Sequence, residues 1–135
     1  HGEALAGRHP VESTAMHIHS GIHRLARQAV VLHTHMPYAT ALTLTQDRTL
    51  DTTLSQNAMR FHGRVAIDPH YNGLALDASE GERIARAMGD KHVLFLAHHG
   101  VIVVGRNGSS GATGLSRPRT SIACCSRRCS TSAST

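Results

Sequence analysis

The sequence has no tryptophan, two phenylalanines, two tyrosines and three cysteines among its 135 residues. It also has no apolar run near the roughly 18–20 residues that a membrane-spanning helix needs. We therefore predict a soluble chain that contacts no membrane. An odd, small number of cysteines is not the disulfide framework of a secreted domain and is typical of a reducing compartment, which predicts a cytoplasmic protein.

Acidic residues are absent after Arg106. Residues 1–106 hold all nine acids and ten of the fourteen lysines and arginines, whereas residues 107–135 hold four arginines and no acid. Most of the net charge of +5 therefore belongs to a Ser/Arg/Cys-rich segment with few large apolar side chains. Such a segment cannot bury enough apolar surface to fold. We predict a domain over 1–106 and a disordered basic tail over 107–135.

The tail carries every cysteine of the chain, Cys124, Cys125 and Cys129, but no histidine that could complete a tetrahedral zinc site. Its arginines have no aromatic residue beside them for stacking on bases. We therefore expect neither a metal site in the tail nor a specific nucleic-acid partner, although the sequence pI near 9.9 would suggest one.

Hydrophobic periodicity in the domain indicates helices that alternate with strands. Apolar residues at steps of three and four predict a helix over 11–27, capped by Ser13 or Thr14. Pro37 and Ser79 mark the starts of two more helices. Apolar runs predict strands over 29–32, 64–68, 92–97 and 101–104. This alternation is typical of a layered α/β domain whose sheet is covered on at least one face.

Two histidine motifs follow predicted strands. In the His-Thr-His motif of residues 33–35, the first and third side chains share one strand face, a pair suited to zinc. The His-His-Gly motif of residues 98–100 supplies a third ligand, and only one of its adjacent histidines can face the same site. Three histidines and an open position are typical of catalytic zinc. The alternative is that both motifs are solvent-facing residues at strand ends.

Other titratable residues lie on the first predicted helix. His19 and His23 share a helix face, but the glutamate of a His-Glu-x-x-His zinc motif is missing, so we expect them to pack or to support the ligands. Glu12 is the one nearby carboxylate able to act as a general acid or base. Its alternative role is a helix N-terminal acid favoured by the helix dipole.

Four stretches of the chain resemble the class II aldolase/adducin family. They lie within about residues 3–106 and comprise 11–23, 29–40, 71–76 and 94–105. The resemblance implies a three-layer α/β/α sandwich around a mixed β-sheet, incomplete at both ends here, and a homo-oligomer, often a tetramer. It also implies Zn²⁺, or another divalent metal, bound by His33, His35 and His99.

The resemblance further implies a zinc-dependent aldolase-type lyase that acts on a small phosphorylated sugar or a related carbonyl compound. Such enzymes cleave a carbon–carbon bond by a retro-aldol reaction through a metal-stabilised enediolate. The alternatives are an epimerase or dehydratase with the same metal site, or a non-catalytic adducin-like scaffold. Ala15 occupies the position of the aldolases' catalytic glutamate, which favours the scaffold, and the three histidines favour the enzyme. Glu12 is the candidate catalytic residue.

Overall fold

The computed structural model describes residues 11–48 and 50–107, so the cysteines and nearly all of the predicted tail lie outside the described residues. The boundary at Arg106 stays a prediction. The elements are α1 (Ser13–Leu25), β1 (Val30–Thr34), α2 (Pro37–Thr43), α3 (Gln56–Met59), β2 (Val65–Asp68), α4 (Ala78–Met88), β3 (Val93–Leu96) and β4 (Gly100–Gly105). None of the helices among these residues is long and apolar enough to span a membrane.

The four strands form one mixed sheet in the order β1-β4-β3-β2. β4 pairs antiparallel with both β1 and β3, whereas β2 pairs parallel with β3. The β1–β4 register places His33 opposite Ile102 and Thr34 opposite Val101. The end of β1 therefore lies beside the turn between β3 and β4, which brings the two histidine motifs to the same edge of the sheet.

Alternate residues of β3 and β4 pack on opposite faces of the sheet, because successive strand side chains point to opposite sides. Leu94 and Ile102 join one core with α1 and α4. Phe95 and Val103 join a second core with α2 and Leu50. Helices and loops thus cover both faces, and the predicted three-layer α/β/α sandwich is confirmed.

Two glycines allow α1 and α4 to approach closely. A Cβ atom at Gly21 would lie 2.5 Å from the carbonyl carbon of Gly81, and a Cβ atom at Gly81 would overlap the carbonyl oxygen of His17. An ion pair between Arg24 and Glu82 joins the same two helices. This contact fixes the position of α1, whose N-terminal turn lines the cavity described below.

The predicted cap of α1 is wrong. The helix begins after Glu12, whose side chain accepts hydrogen bonds from the backbone N–H groups of Thr14 and Ala15, and neither Ser13 nor Thr14 is the cap. Glu12 is the last extended residue, with φ −65° and ψ 124°, and its ionised carboxylate is the stronger acceptor for these free amides. The strand predicted to end at residue 32 continues to Thr34, because β4 pairs with it that far.

Candidate metal centre

His33, His35 and His99 meet at the edge of the sheet. Their candidate ligand nitrogens all lie within 4.8 Å of one another. The ring centroids are 5.1 Å apart for His33 and His35, 4.8 Å for His33 and His99, and 4.7 Å for His35 and His99. The structure therefore brings together the three histidines that the sequence selected, and among the described residues this is the one such cluster of three.

The turn between β3 and β4 selects which histidine of the His-His-Gly motif faces the cluster. His98 has a φ of 56°, in the left-handed region. Its ring turns away, and its Nε2 lies 2.9 Å from Nη2 of Arg48. Its backbone N–H donates to the carbonyl of Thr43 at 3.2 Å, and that of His99 donates to Leu96 at 3.2 Å. His99 alone of the pair joins the cluster, in agreement with the sequence argument.

The electrostatics of the cluster favour neutral imidazoles. Burial, together with the nearby His99 and His35, lowers the pKa of His33 to about 4. Burial also lowers the pKa of His99, with a smaller effect from His35. A neutral imidazole has a lone pair available for a metal, whereas a protonated one has none.

One buried nitrogen supports a cation at this position. Nε2 of His33 is buried and has no hydrogen-bond partner among the described residues. A buried polar atom without a partner costs free energy, and a cation held by the three rings would satisfy it. The donor set, its spacing and this nitrogen therefore fit a divalent metal such as zinc.

A cavity of about 230 Å³ opens beside the three rings. Its other walls include Glu12 and Ala15 from the start of α1, and Tyr71 from the segment before α4. Glu12 is thus both a cavity wall and the helix cap. Hydrogen bonds from Thr14 and Ala15 lower the pKa of Glu12, so its carboxyl group is ionised at neutral pH.

His19 and His23 lie on α1 with ring centroids 6.4 Å apart. Burial, followed by the charge of His23, lowers the pKa of His19. Nδ1 of His23 lies 2.6 Å from the carbonyl oxygen of Gln28. Neither residue belongs to the three-histidine cluster, in keeping with the supporting or packing role expected for them.

Sequence reasoning missed an ionic network in the wall of the cavity. Arg83 donates to both oxygens of the buried Asp68, at 2.9 and 2.6 Å, and to both oxygens of Glu80, at 2.9 and 2.7 Å. The spacing of Glu80 and Arg83 on a helix was a visible signal. An acidic residue, Asp68, at the end of an apolar strand was a second signal. Only the fold shows that Asp68 and Arg83 meet.

The family model described as "Class II Aldolase and Adducin N-terminal domain" matches residues 1–110. The chain belongs to this family. It is similar to the 4-hydroxy-3-prenylphenylpyruvate oxygenase/4-hydroxy-3-prenylbenzoate synthase of Streptomyces roseochromogenus subsp. oscitans, with 32% identity over 76% of this chain and 37% of the relative. It is also similar to the decarboxylase NovR of Streptomyces niveus, with 31% identity over 76% of this chain and 38% of the relative.

A solved structure supports the family fold independently. The crystal structure of an aldolase II superfamily protein from Pseudomonas syringae superposes with a TM-score of 0.75 and 34% identity, over 83% of this chain and 44% of that chain. The chain thus spans less than half the length of these relatives. The expected family and its α/β fold are both confirmed.

Proposed function

We propose that this class II aldolase/adducin chain carries the metal site of a lyase that breaks a carbon–carbon bond next to a carbonyl group. The observation that carries the proposal is the convergence of His33, His35 and His99, with a buried unpartnered nitrogen, beside an open cavity. A structural zinc site has four protein ligands, whereas three histidines leave a position for a substrate oxygen.

The three histidines would hold the cation, Zn²⁺ or another divalent metal. Because neutral imidazoles bring no negative charge, the bound cation keeps its full positive charge. Such a cation acts as a Lewis acid on the oxygen atoms of a carbonyl substrate. The ionic network in the cavity wall adds no free cationic side chain, because two carboxylates surround Arg83.

Glu12 is the residue that we propose as the proton acceptor. It lines the same cavity, and its lowered pKa keeps it ionised at neutral pH. The same hydrogen bonds make it a weak base, because they stabilise the carboxylate that has to accept the proton. Because glutamine cannot accept a proton in its place, we expect Glu12→Gln to reduce turnover strongly while the metal stays bound. Full turnover in Glu12→Gln would show that Glu12 is only a helix cap.

For the substrate we propose a small phosphorylated sugar or a related carbonyl compound, cleaved by a retro-aldol reaction. Aldol cleavage leaves an electron pair on a carbon next to a carbonyl group, and so does the decarboxylation of a 3-oxo acid. One relative is named a decarboxylase. The same metal site therefore serves either reaction, and epimerase or dehydratase chemistry uses it as well. A homo-oligomer and a cytoplasmic location remain part of this proposal.

The second candidate is a non-catalytic adducin-like scaffold. It is favoured by Ala15, which lines the cavity at the position that matches the aldolases' glutamate and carries no functional group. An adducin-related protein of Schizosaccharomyces pombe is also similar to this chain, with 34% identity over 63% of it and 25% of that protein. A scaffold needs no metal, so metal-dependent turnover separates the two candidates.

The experiment is a cleavage assay on the full chain with Zn²⁺, Mn²⁺ or Fe²⁺, using ketose 1-phosphates and 3-oxo acids as two substrate panels. We expect one panel to be cleaved, with aldehyde or CO₂ as product, and the activity to disappear with a chelator and in His33→Ala. His92→Ala, which changes an exposed histidine outside the cluster, is the matched control. Turnover that survives both the chelator and His33→Ala would overturn the proposal.

A further inference from the structure

Tyr71 lies at the three-histidine cavity but outside both hydrophobic cores. Its ring is edge-on to His99, with the centroids 6.4 Å apart and the planes at 71°. The side chain lines the cavity and is still 53% exposed. Within the described residues its hydroxyl has no hydrogen-bond partner. An aromatic side chain in this position is free to contact a molecule that enters the cavity.

The residues before and after Tyr71 each donate a hydrogen bond to a carboxylate. The backbone N–H of His70 donates to Oδ1 of Asp68 at 3.2 Å, and Nδ2 of Asn72 donates to Oε2 of Glu80 at 3.3 Å. Arg83 donates hydrogen bonds to both of these carboxylates. The segment between β2 and α4 has no regular secondary structure here, so these hydrogen bonds help to restrain the backbone around Tyr71.

This arrangement restrains the backbone on both sides of Tyr71 before any ligand arrives. Asp68 is 1% exposed, and its paired hydrogen bonds with Arg83 are the geometry that gives guanidinium–carboxylate pairs their directionality. A contact residue that is already fixed loses little entropy when a ligand binds. The network therefore limits the positions that the backbone of Tyr71 can take beside the cavity.

We infer that Tyr71 is a substrate-contacting residue of the three-histidine cavity, and that its hydroxyl donates a hydrogen bond to an oxygen atom of a small carbonyl substrate. The inference rests on the proposed function, since it places that substrate at the histidines. The ring covers one side of the cavity beside His99, and the hydroxyl supplies a polar contact that the histidines do not offer.

The test uses the full chain loaded with Co²⁺, whose visible spectrum reports its ligands, and acetohydroxamate as a probe with two adjacent oxygen donors. Tyr71→Phe removes only the hydroxyl. We expect it to weaken probe binding about 3- to 10-fold, the effect of one hydrogen bond, with Co²⁺ affinity unchanged. Tyr38→Phe is the matched control, because Tyr38 is the other tyrosine, 49% exposed and outside the cavity wall.

The effect of the hydrogen bond from Asn72 on Tyr71 can be measured separately by fluorescence. In the Tyr38→Phe background Tyr71 is the only tyrosine, and the chain has no tryptophan, so intrinsic fluorescence reports Tyr71 alone. We expect bound Co²⁺ to quench this fluorescence. We also expect Asn72→Ala, which frees one side of the segment, to weaken both the quenching and probe binding while Co²⁺ affinity is kept.

Equal probe affinity in Tyr71→Phe and the unmodified chain would overturn the inference. It would not contradict the proposed metal site. A loss of Co²⁺ affinity in Tyr71→Phe as large as the loss of probe affinity would also overturn the inference, since that pattern marks a purely structural residue. Failure of the unmodified chain to bind Co²⁺, or equal Co²⁺ binding by His33→Ala, would instead overturn the proposed function itself.

Discussion

Gly100 lies against His35 so closely that no side chain fits between them. A Cβ atom at Gly100 would fall 2.7 Å from Cδ2 of His35 and 2.6 Å from the carbonyl oxygen of Thr34. Gly100 begins β4 directly after His99, so this contact joins the two halves of the three-histidine cluster. The small residue at this position is therefore a requirement of the metal site.

Gly100→Ala should consequently separate His35 from His99. We expect Zn²⁺ affinity to fall about 10- to 100-fold, the range seen when residues that orient metal ligands are changed. Isothermal titration with Zn²⁺ measures this. Val101→Ala is the control, because it removes buried atoms from β4 and costs about 2 kcal/mol of stability without adding an atom near His35. Unchanged Zn²⁺ affinity in Gly100→Ala would contradict the account.

Gly81→Ala tests the contact between α1 and α4. The added methyl group would overlap the backbone of α1 at His17, and backbone atoms cannot rotate away as a flexible side chain can. We expect a loss of about 1–3 kcal/mol in the free energy of unfolding, measured by urea denaturation. Ser20→Ala, an exposed change on α1, should stay within about 0.5 kcal/mol. Equal stability of the two variants would show that the helices do not pack as described.

Local sequence patterns were enough to predict most helices and strands, the pair His33 and His35, and a third histidine from the His-His-Gly motif, whereas the choice of His99 came from the family resemblance. A strand places residues 33 and 35 on one face, and an apolar run before residue 98 puts the second motif at a strand end. The strand order and register depend on contacts distant in sequence, so the meeting of the motifs was not derivable from spacing. The ionic network and the position of Tyr71 depend on the same contacts.

Asp68→Asn tests that ionic network. It keeps the shape of Asp68 but leaves the guanidinium of Arg83 without its buried partner. Because Arg83 is 31% exposed, we expect about 2–4 kcal/mol of destabilisation, somewhat under the cost for a fully buried pair. Glu82→Gln is the matched control, since Glu82 pairs with the more exposed Arg24 and Arg86, and we expect it to cost much less stability than Asp68→Asn. Similar losses in both variants would argue against a special role for Asp68.

The lowered pKa of His33 predicts a pH dependence for the metal-free chain. Its pKa is about 4 in the folded state, because of burial and the nearby His99 and His35, and about 6.5 in the unfolded state. The unfolded state therefore binds more protons between these values, so stability is full above about pH 6.5 and decreases as the pH falls toward 4. The lowered pKa values of His99 and His19 act in the same direction.

Urea denaturation at pH 7 and pH 5 measures this dependence. We expect a lower free energy of unfolding at pH 5, and a smaller difference between the two pH values in His33→Gln. The exposed His92→Gln should retain the full difference. If the metal-free chain is equally stable at both pH values, the three rings are not packed together as described.

The most direct measurement is the Zn²⁺ stoichiometry and affinity of the full chain and of His33→Ala, His35→Ala and His99→Ala, with the exposed His62→Ala as the control. We predict one Zn²⁺ per chain, an affinity about 100-fold weaker or worse in each of the three cluster variants, and an unchanged affinity in His62→Ala. Zn²⁺ bound equally well by His33→Ala, or no Zn²⁺ bound by the unmodified chain, would contradict this prediction.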